Sequence, residues 1–282
     1  MTDVDRKAQI VGMFDRAAPT YDQLGIEFFG PPSRQLVELA GLRPGDRVLD
    51  LGTGRGASLL PAAEAVGPEG EVIGVDLAPT MVRSTADEAR RRGLAWVRMT
   101  HGDAEHPDFP ENSFDVVIAG FIVFFLDDPA AAVARWSRLL RPGGRLVLST
   151  FAELTDDDRA MYAAIGAALR PFWPPVEEDD DESGSSDPTR TPEWVTALFT
   201  EADLDDVEMV EIVQRSEYET PALFYDFMLS AGGRWMVEDI PAEQQAAARA
   251  AVTDAVVAHL RQPDGTYARE TGMRLTLARR AG

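Results

Sequence analysis

The chain has 282 residues, 45% of them apolar, no cysteine and a formal net charge of −21. That length and apolar content can bury a sizeable core without covalent staples, and the absence of cysteine excludes disulfides and thiolate metal sites. So strong a negative charge makes a nucleic-acid backbone an unfavourable partner, because such binding rests on basic patches and counterion release.

A small-molecule substrate is therefore expected. The first residues, Met-Thr-Asp-Val-Asp-Arg-Lys, lack the apolar core of a leader, and no apolar run reaches the ~20 residues of a membrane span, so a cytoplasmic protein with no membrane attachment is expected. Lys7 is the only lysine, the other 26 basic residues being arginines. Residues 1–42 are read as a helical lid, which could also exchange between subunits of a homodimer or larger homo-oligomer.

Apolar runs at about 46–51, 71–76, 95–100, 115–121 and 145–151 read as buried strands separated by stretches with helical spacing, a βαβ rhythm that makes residues 43–152 a core unit. After Asp76, Ala78-Pro79-Thr80 starts a helix with proline in its first turn, and Met81, Val82 and Ala86 give it one apolar face. Right-handed crossovers between parallel strands make the α/β sheet doubly wound, and ligands then sit at the carboxyl ends of its strands. Gly52 to Gly56, Asp76, Asp103 and Gly120-Phe121 all fall there.

The segment Pro171 to Pro192 holds Pro174-Pro175, seven acids between Glu177 and Asp187, and Ser183-Gly184-Ser185-Ser186. It reads as a solvated acidic insertion, disordered over 174–190, within a variable substrate-binding or cap region spanning 153–240. No metal site is expected from its carboxylates, since such charge blocks repel. A helix near 193–202, a strand near 207–214, a helix near 222–230 and a longer helix near 242–260 follow. The turn Pro263-Asp264-Gly265 leads to an alternating strand near 273–278, so residues 241–282 complete the core sheet.

The run Val48-Leu49-Asp50-Leu51-Gly52-Thr53-Gly54-Arg55-Gly56 ends a strand in three alternating glycines, and Asp76 closes the next strand 20 residues past Gly56. Glycines let the backbone turn tightly and approach a ligand, and a carboxylate at that spacing holds two ribose hydroxyls. The loop alone leaves the cofactor open, because Gly52-x-Gly54-x-x-Ala57 also fits a dinucleotide fingerprint.

Five segments in order narrow it. They are Phe14 to Asp22, Val48 to Gly56, Val72 to Val82, Gly102-Asp103-Ala104-Glu105 with Asn112 to Asp115, and Leu140 to Leu146. Over Met13 to Phe151 the chain resembles the class I S-adenosylmethionine-dependent methyltransferases, most closely the small-molecule branch that includes quinone-biosynthesis C-methyltransferases. The resemblance implies a Rossmann-like, seven-stranded, mostly parallel sheet with an antiparallel last strand. It further implies S-adenosylmethionine as cofactor and S-adenosylhomocysteine as product. In the family's pattern the loop carrying Asp50, Gly52, Thr53, Gly54 and Gly56 abuts the methionine part of the cofactor. Asp76 takes the ribose, and Leu77 and Met81 pack on the adenine. Gly102, Asp103 and Ala104 recognise the adenine edge, Tyr21 closes over the amino-acid end, and Gly120-Phe121 border the site.

A sulfonium methyl is already activated, so the protein mainly aligns and desolvates the acceptor, and a base is needed only for an acceptor that stays protonated. His101, Glu27, Glu219 and Asp226 are weak base candidates, with His106 and His259 as further histidines. Phe121 and Phe125, with Phe172, Trp173, Phe224, Tyr225, Phe227 and Trp235, suggest a greasy acceptor pocket, and Arg234 is a candidate for an anionic substrate group. The expected activity is methylation of a small hydrophobic acceptor at oxygen or carbon in specialised metabolism. Methylation of a prenyl chain through a carbocation held by aromatic faces, and an inactive cofactor-binding interaction module, are the alternatives.

Overall fold

The computed structural model describes residues 3–173 and 187–282, so the acidic run at 174–186 lies outside the described residues. In chain order the elements are α1 (Asp3–Ala17), α2 (Gly30–Ala40), β1 (Arg47–Leu51), α3 (Leu59–Val66), β2 (Glu71–Asp76), α4 (Pro79–Arg91), β3 (Val97–His101) and β4 (Phe114–Gly120). There follow α5 (Pro129–Leu139), β5 (Leu140–Phe151), α6 (Asp156–Leu169), α7 (Pro192–Glu201), β6 (Leu204–Tyr218), α8 (Leu223–Ser230), α9 (Gln245–Leu260) and β7 (Tyr267–Arg280).

The seven strands form one sheet in the order β3-β2-β1-β4-β5-β7-β6. The first five are parallel, and β7 runs antiparallel to both β5 and β6, as the resemblance implies. The strand order reverses direction between β1 and β4, which opens a crevice at their carboxyl ends.

Both faces of the parallel strands are covered, which is why they read as continuous apolar runs rather than alternating ones. Leu49, Leu51, Val117 and Leu146 pack against α5 and α7 through Trp136 and Phe199, while Val48, Val72, Val116 and Ile118 pack against α2 and α3. Gly74 sits mid-strand in β2, where an added Cβ would lie 2.5 Å from Leu59 Cδ1, 2.6 Å from Met99 Sδ and 2.7 Å from Thr53 Oγ1. Gly74→Ala is expected to destabilise the fold by about 1–3 kcal/mol, the usual cost of overpacking, read as a lower denaturation midpoint in urea. An unchanged midpoint would show that β2 has slack there.

A third apolar cluster lies above the sheet and joins α6, α8 and α9 through Ile165, Leu169, Phe224, Val252 and Val256. It supplies a roof over the carboxyl ends of β4 and β5 and the amino end of β7. The strands β6 and β7 run longer than their apolar patterns, pairing from Leu204↔Arg280 to Tyr218↔Tyr267. Their polar ends are held by backbone pairing, which leaves no hydrophobic trace in sequence.

Candidate functional site

The turn after β1 is built for close approach. Gly52, Gly54 and Gly56 all adopt left-handed backbone, with φ of 68°, 53° and 83°. Their roles differ. A Cβ on Gly52 would lie 2.2 Å from Ile122 Cδ1, and one on Gly56 would meet Thr85 and Leu60 at 2.9 and 3.1 Å, so these two let neighbouring elements pack against the turn. Gly54 has open space on that side. Gly52 and Gly54 line the central cavity, whereas Gly56 does not.

Asp76, at the end of β2, ties this turn to the next. Its Oδ2 accepts from the Gly54 amide at 2.7 Å and its Oδ1 from the Ala78 amide at 2.9 Å. Burial raises its pKa above the ordinary carboxylate value, against the pull of those two amides. Asp50 is 2% exposed and its Oδ2 has no hydrogen-bond partner among the described residues. Burial pushes its carboxyl up to about 8, with help from the neighbouring Asp76 charge. A buried carboxylate with one unpartnered oxygen is a fit for the cationic methionine end of S-adenosylmethionine.

Asp103 stands past β3. Its Oδ1 accepts from the Glu105 amide at 2.9 Å and its Oδ2 from Lys7 Nζ at 2.8 Å, with His106 Nδ1 at 3.3 Å. Ala104 is buried, and its carbonyl accepts from Trp136 Nε1 at 2.7 Å, which pins this turn to α5. The Gly102 amide donates to the Asp76 carbonyl at 3.0 Å, so Gly102 acts through the backbone behind the cavity wall. Leu77, Met81, Thr53 and Gly120 line the cavity. Thr53 Oγ1 donates to the Asp50 carbonyl at 2.8 Å.

The N-terminal helix reaches over these turns. Tyr21 stacks on Phe29 with ring centroids 5.6 Å apart and meets Phe14 edge-on at 6.2 Å, and burial raises its phenol pKa. Lys7 pairs with Asp103 at 2.8 Å, Glu105 at 2.5 Å and Asp127 at 3.4 Å. Its being the only lysine in so acidic a chain is the signal for it in the sequence. These partners hold its pKa well above the ordinary lysine value, outweighing the opposing effect of burial.

One cavity of about 790 Å³ runs from these turns to the roof. Phe121, with a left-handed φ of 52°, presents its ring to Phe29 and Phe151 at 5.4 and 5.1 Å. Phe125, Phe224, Phe227 and Trp235 also line it, whereas Phe172, Trp173 and Tyr225 stay in the third apolar cluster.

The expected bases are not brought to this cavity. His101 is exposed, with Nε2 3.0 Å from the Leu77 carbonyl, and none of the three histidines is on the walls. Glu27 is exposed and takes part through its carbonyl, which accepts from Gln214 and Ser216 at 2.9 Å. Glu219 is exposed, and Asp226 is turned outward to Arg249 at 2.5 Å. Arg234 also lies off the walls, 4.0 Å from Glu238, because its short 3-10 turn directs Trp235 and the Gly232-Gly233 backbone to the cavity instead. In their place the structure brings Asp158, Tyr162, Arg190, Arg269 and Thr271 to the roof end. Of these only Asp158 carried a readable signal, the Thr155-x-x-Asp158 capping box that starts α6. No group of three or more metal-ligating side chains occurs among the described residues, and no described helix is long and apolar enough to cross a membrane.

A methyltransferase-domain family model matches residues 49–148. The chain is 45% identical over 150 residues to aklanonic acid methyltransferase DauC of Streptomyces sp. (strain C5), covering 53% of this chain and 68% of that one. It is 52% identical over 137 residues to nocamycin O-methyltransferase of Saccharothrix syringae, a match that spans about half of each chain, 49%. It is 34% identical over 185 residues to the ubiquinone/menaquinone C-methyltransferase UbiE of Stutzerimonas stutzeri (strain A1501), covering 63% and 72%. Among solved structures, YcgJ of Bacillus subtilis superposes with a TM-score of 0.60 at 22% identity, covering 89% and 99% of the two chains. The [4+2]-cyclase SpnF superposes at 0.61 and 20% identity, covering 98% and 97%. These two likenesses speak for the fold alone, and a cyclase on this scaffold shows that fold does not fix the reaction. The family model, the relatives and the glycine turn with its two carboxylates agree, and the chain belongs to the class I S-adenosylmethionine-dependent methyltransferases.

Proposed function

We propose that the protein transfers the methyl group of S-adenosylmethionine to an acidic oxygen of a small, largely aromatic acceptor in specialised metabolism. The observation that carries this reading is the composition of the cavity's acceptor end. It is lined by phenylalanines, holds no histidine, and among the described residues its one buried carboxylate, Asp158, is already spent on Arg269 at 2.8 Å and on Thr155. Glu153 and Asp187, the other acids there, are solvent-exposed. With no free buried base among the described residues to remove a proton, the acceptor that suits the site arrives ionised, as a carboxylate, an acidic enol or an acidic phenol does. The names aklanonic acid methyltransferase and nocamycin O-methyltransferase, borne by two relatives, point the same way.

The cofactor supplies an electrophilic methyl on a sulfonium. Asp76 would hold its ribose, Asp103 and the Ala104 amide its adenine edge, and Gly54 with Asp50 its methionine end, with Leu77 and Met81 flanking the base. Tyr21 and Phe14 from the N-terminal segment, together with Phe121 and Phe125, would then exclude water between the two ligands. Alignment of a bound nucleophile with a bound electrophile is worth several kcal/mol without any covalent step on the protein.

The test is incubation with methyl-labelled S-adenosylmethionine and a set of aromatic carboxylic acids, phenols and uncharged arenes. Label is expected in the organic phase with the acids, and mild alkali releases it if the product is an ester. Transfer confined to uncharged arenes would overturn the reading.

Asp50 adds a pH signature. Its folded-state value of about 8 means that the free protein holds this proton at neutral pH, while a cationic cofactor favours the ionised form. Binding is therefore expected to release a proton near pH 7, and cofactor affinity to rise with pH until about 8 and then level. Calorimetry in two buffers of different ionisation enthalpy reads the proton directly. Asp50→Asn abolishes the release if Asp50 is its source, and an undiminished release in that variant would assign it elsewhere.

A further inference from the structure

Above the aromatic middle of the cavity sits a polar cluster that none of the proposed cofactor contacts uses. Arg269 rises from the start of β7, and its side chain is 11% exposed. One terminal nitrogen donates to Asp158 Oδ1 at 2.8 Å and the other to the Tyr162 hydroxyl at 3.2 Å, with the guanidinium carbon 5.0 Å over the Tyr162 ring. Asp158 is itself fixed, because its Oδ2 accepts from the Thr155 amide and hydroxyl at 3.0 and 2.8 Å. The guanidinium is thus held in one orientation by a carboxylate that is held by a helix cap.

What remains unspent in the cluster is donor capacity. A guanidinium carries five N–H donors and these contacts use two. Arg269 Nε is buried with no partner among the described residues, and so is the hydroxyl of Thr271, a residue 7% exposed. The Tyr162 hydroxyl accepts from Arg269, which leaves its own proton to donate. Arg269, Tyr162 and Thr271 all line the cavity. Asp158 balances the charge of Arg269 but uses only part of its fork, and unsatisfied buried donors are costly unless a ligand meets them.

We infer that Arg269, oriented by Asp158 and joined by Tyr162 and Thr271, is a second polar anchor of the acceptor and takes an anionic oxygen group distinct from the one that is methylated. This rests on the proposed function above and narrows its substrate class. The strand order places β7 two strands beyond β4, on the order of 10 Å across the sheet at the usual strand spacing. Between the two lie Phe121 and Phe151, 5.1 Å apart, and Phe124 stacked on Phe151 at 5.5 Å. The acceptor that matches this layout is a flat apolar body with an oxygen function at each end, one presented to the cofactor and one to Arg269. A planar fork with spare parallel donors suits a carboxylate or an enolate better than a neutral group.

The test uses the full chain loaded with S-adenosylhomocysteine and two probes of one shape, 2-naphthoate and 2-naphthamide, titrated by calorimetry. The naphthoate is expected to bind about tenfold or more tightly than the amide, in line with a charge-assisted contact. Arg269→Met removes that preference, Arg269→Lys keeps part of it, and Tyr162→Phe reduces it. Arg249→Met, an exposed arginine on α9, leaves it intact. Undiminished affinity for S-adenosylhomocysteine certifies that each variant is folded. If Arg269→Met fails that check, the decision passes to Arg269→Lys and Tyr162→Phe. Equal binding of the two probes, binding of neither, or a preference of wild-type size in the folded Arg269 and Tyr162 variants would overturn the inference. Because no methyl transfer is involved, a negative result here is separate from a failure of the methylation reading.

Discussion

Asp76→Ala is expected to weaken S-adenosylhomocysteine binding by about 100-fold or more, since two charge-assisted hydrogen bonds of about 1.5–3 kcal/mol each lose their carboxylate. The argument is geometric. Both oxygens already accept from backbone amides, Gly54 on one side and Ala78 on the other, so the carboxylate sets the turn after β1 and the start of α4 before any ligand arrives. Each oxygen keeps a second lone pair, and those are what two vicinal ribose hydroxyls would meet. Alanine therefore removes the ligand's partner and unfastens the turn that shapes its site. Asp76→Asn should fall between, because its amide group can accept from only one of the two N–H donors. Calorimetry with S-adenosylhomocysteine, paired with a melting curve to separate binding from folding, measures the effect. Binding within threefold of wild type in a folded Asp76→Ala protein would remove Asp76 from the proposed site.

Lys7→Ala is the second large effect. Glu105 is 3% exposed, its Oε1 accepts from the Asp127 and Asp128 amides at 3.0 Å, and its Oε2 meets Lys7. Lys7 and Arg6 are the cations that α1 brings to Glu105, Asp103 and Asp127, Arg6 pairing among the described residues with Asp127. Removing one partner of a fully buried pair costs about 3–5 kcal/mol, and with a quarter of the Lys7 side chain exposed the cost here is discounted to roughly 1–2 kcal/mol. That is enough to loosen α1 from Asp103. The expected outcome is faster proteolysis within α1 and about tenfold weaker cofactor binding, with Lys7→Arg restoring most of both. Because Lys7 is the only lysine, an amine-reactive reagent labels this one side chain besides the chain's amino terminus. Labelling of Lys7 should slow when S-adenosylhomocysteine is bound. Labelling and proteolysis rates indifferent to the ligand and to the substitution would show that α1 is not coupled to the cofactor turns.

The cofactor half of the site was legible because its chemistry is local. A strand, a turn whose glycines need left-handed backbone and a carboxylate closing the next strand are contiguous in sequence, and the fold only has to lay β1 beside β2. The acceptor half is assembled from Phe29, Phe121, Phe151, Tyr162, Phe227 and Arg269, residues with no shared period or spacing, brought together by the return of β7 between β5 and β6. The expected bases are turned away by local contacts. His101 and Asp226 lie beside cavity residues in sequence, but one reaches back to the Leu77 carbonyl and the other outward to Arg249. Arg234 is the substrate cation that the sequence suggests, whereas the arginines that line the roof end of the cavity are Arg190 and Arg269, the latter in a strand whose alternation says only which face is apolar. Gly56 shows the same limit within a motif, since the pattern marks three glycines alike and packing divides them.

The most direct measurement is carbon NMR of the product formed from S-adenosylmethionine enriched at its methyl carbon, with an aromatic carboxylic acid as acceptor and Asp76→Ala as the control. The expected result is a new methoxy resonance that is absent with the variant. A C-methyl or N-methyl resonance, or a methoxy signal undiminished by Asp76→Ala, would contradict transfer to an acidic oxygen from a cofactor held at this site.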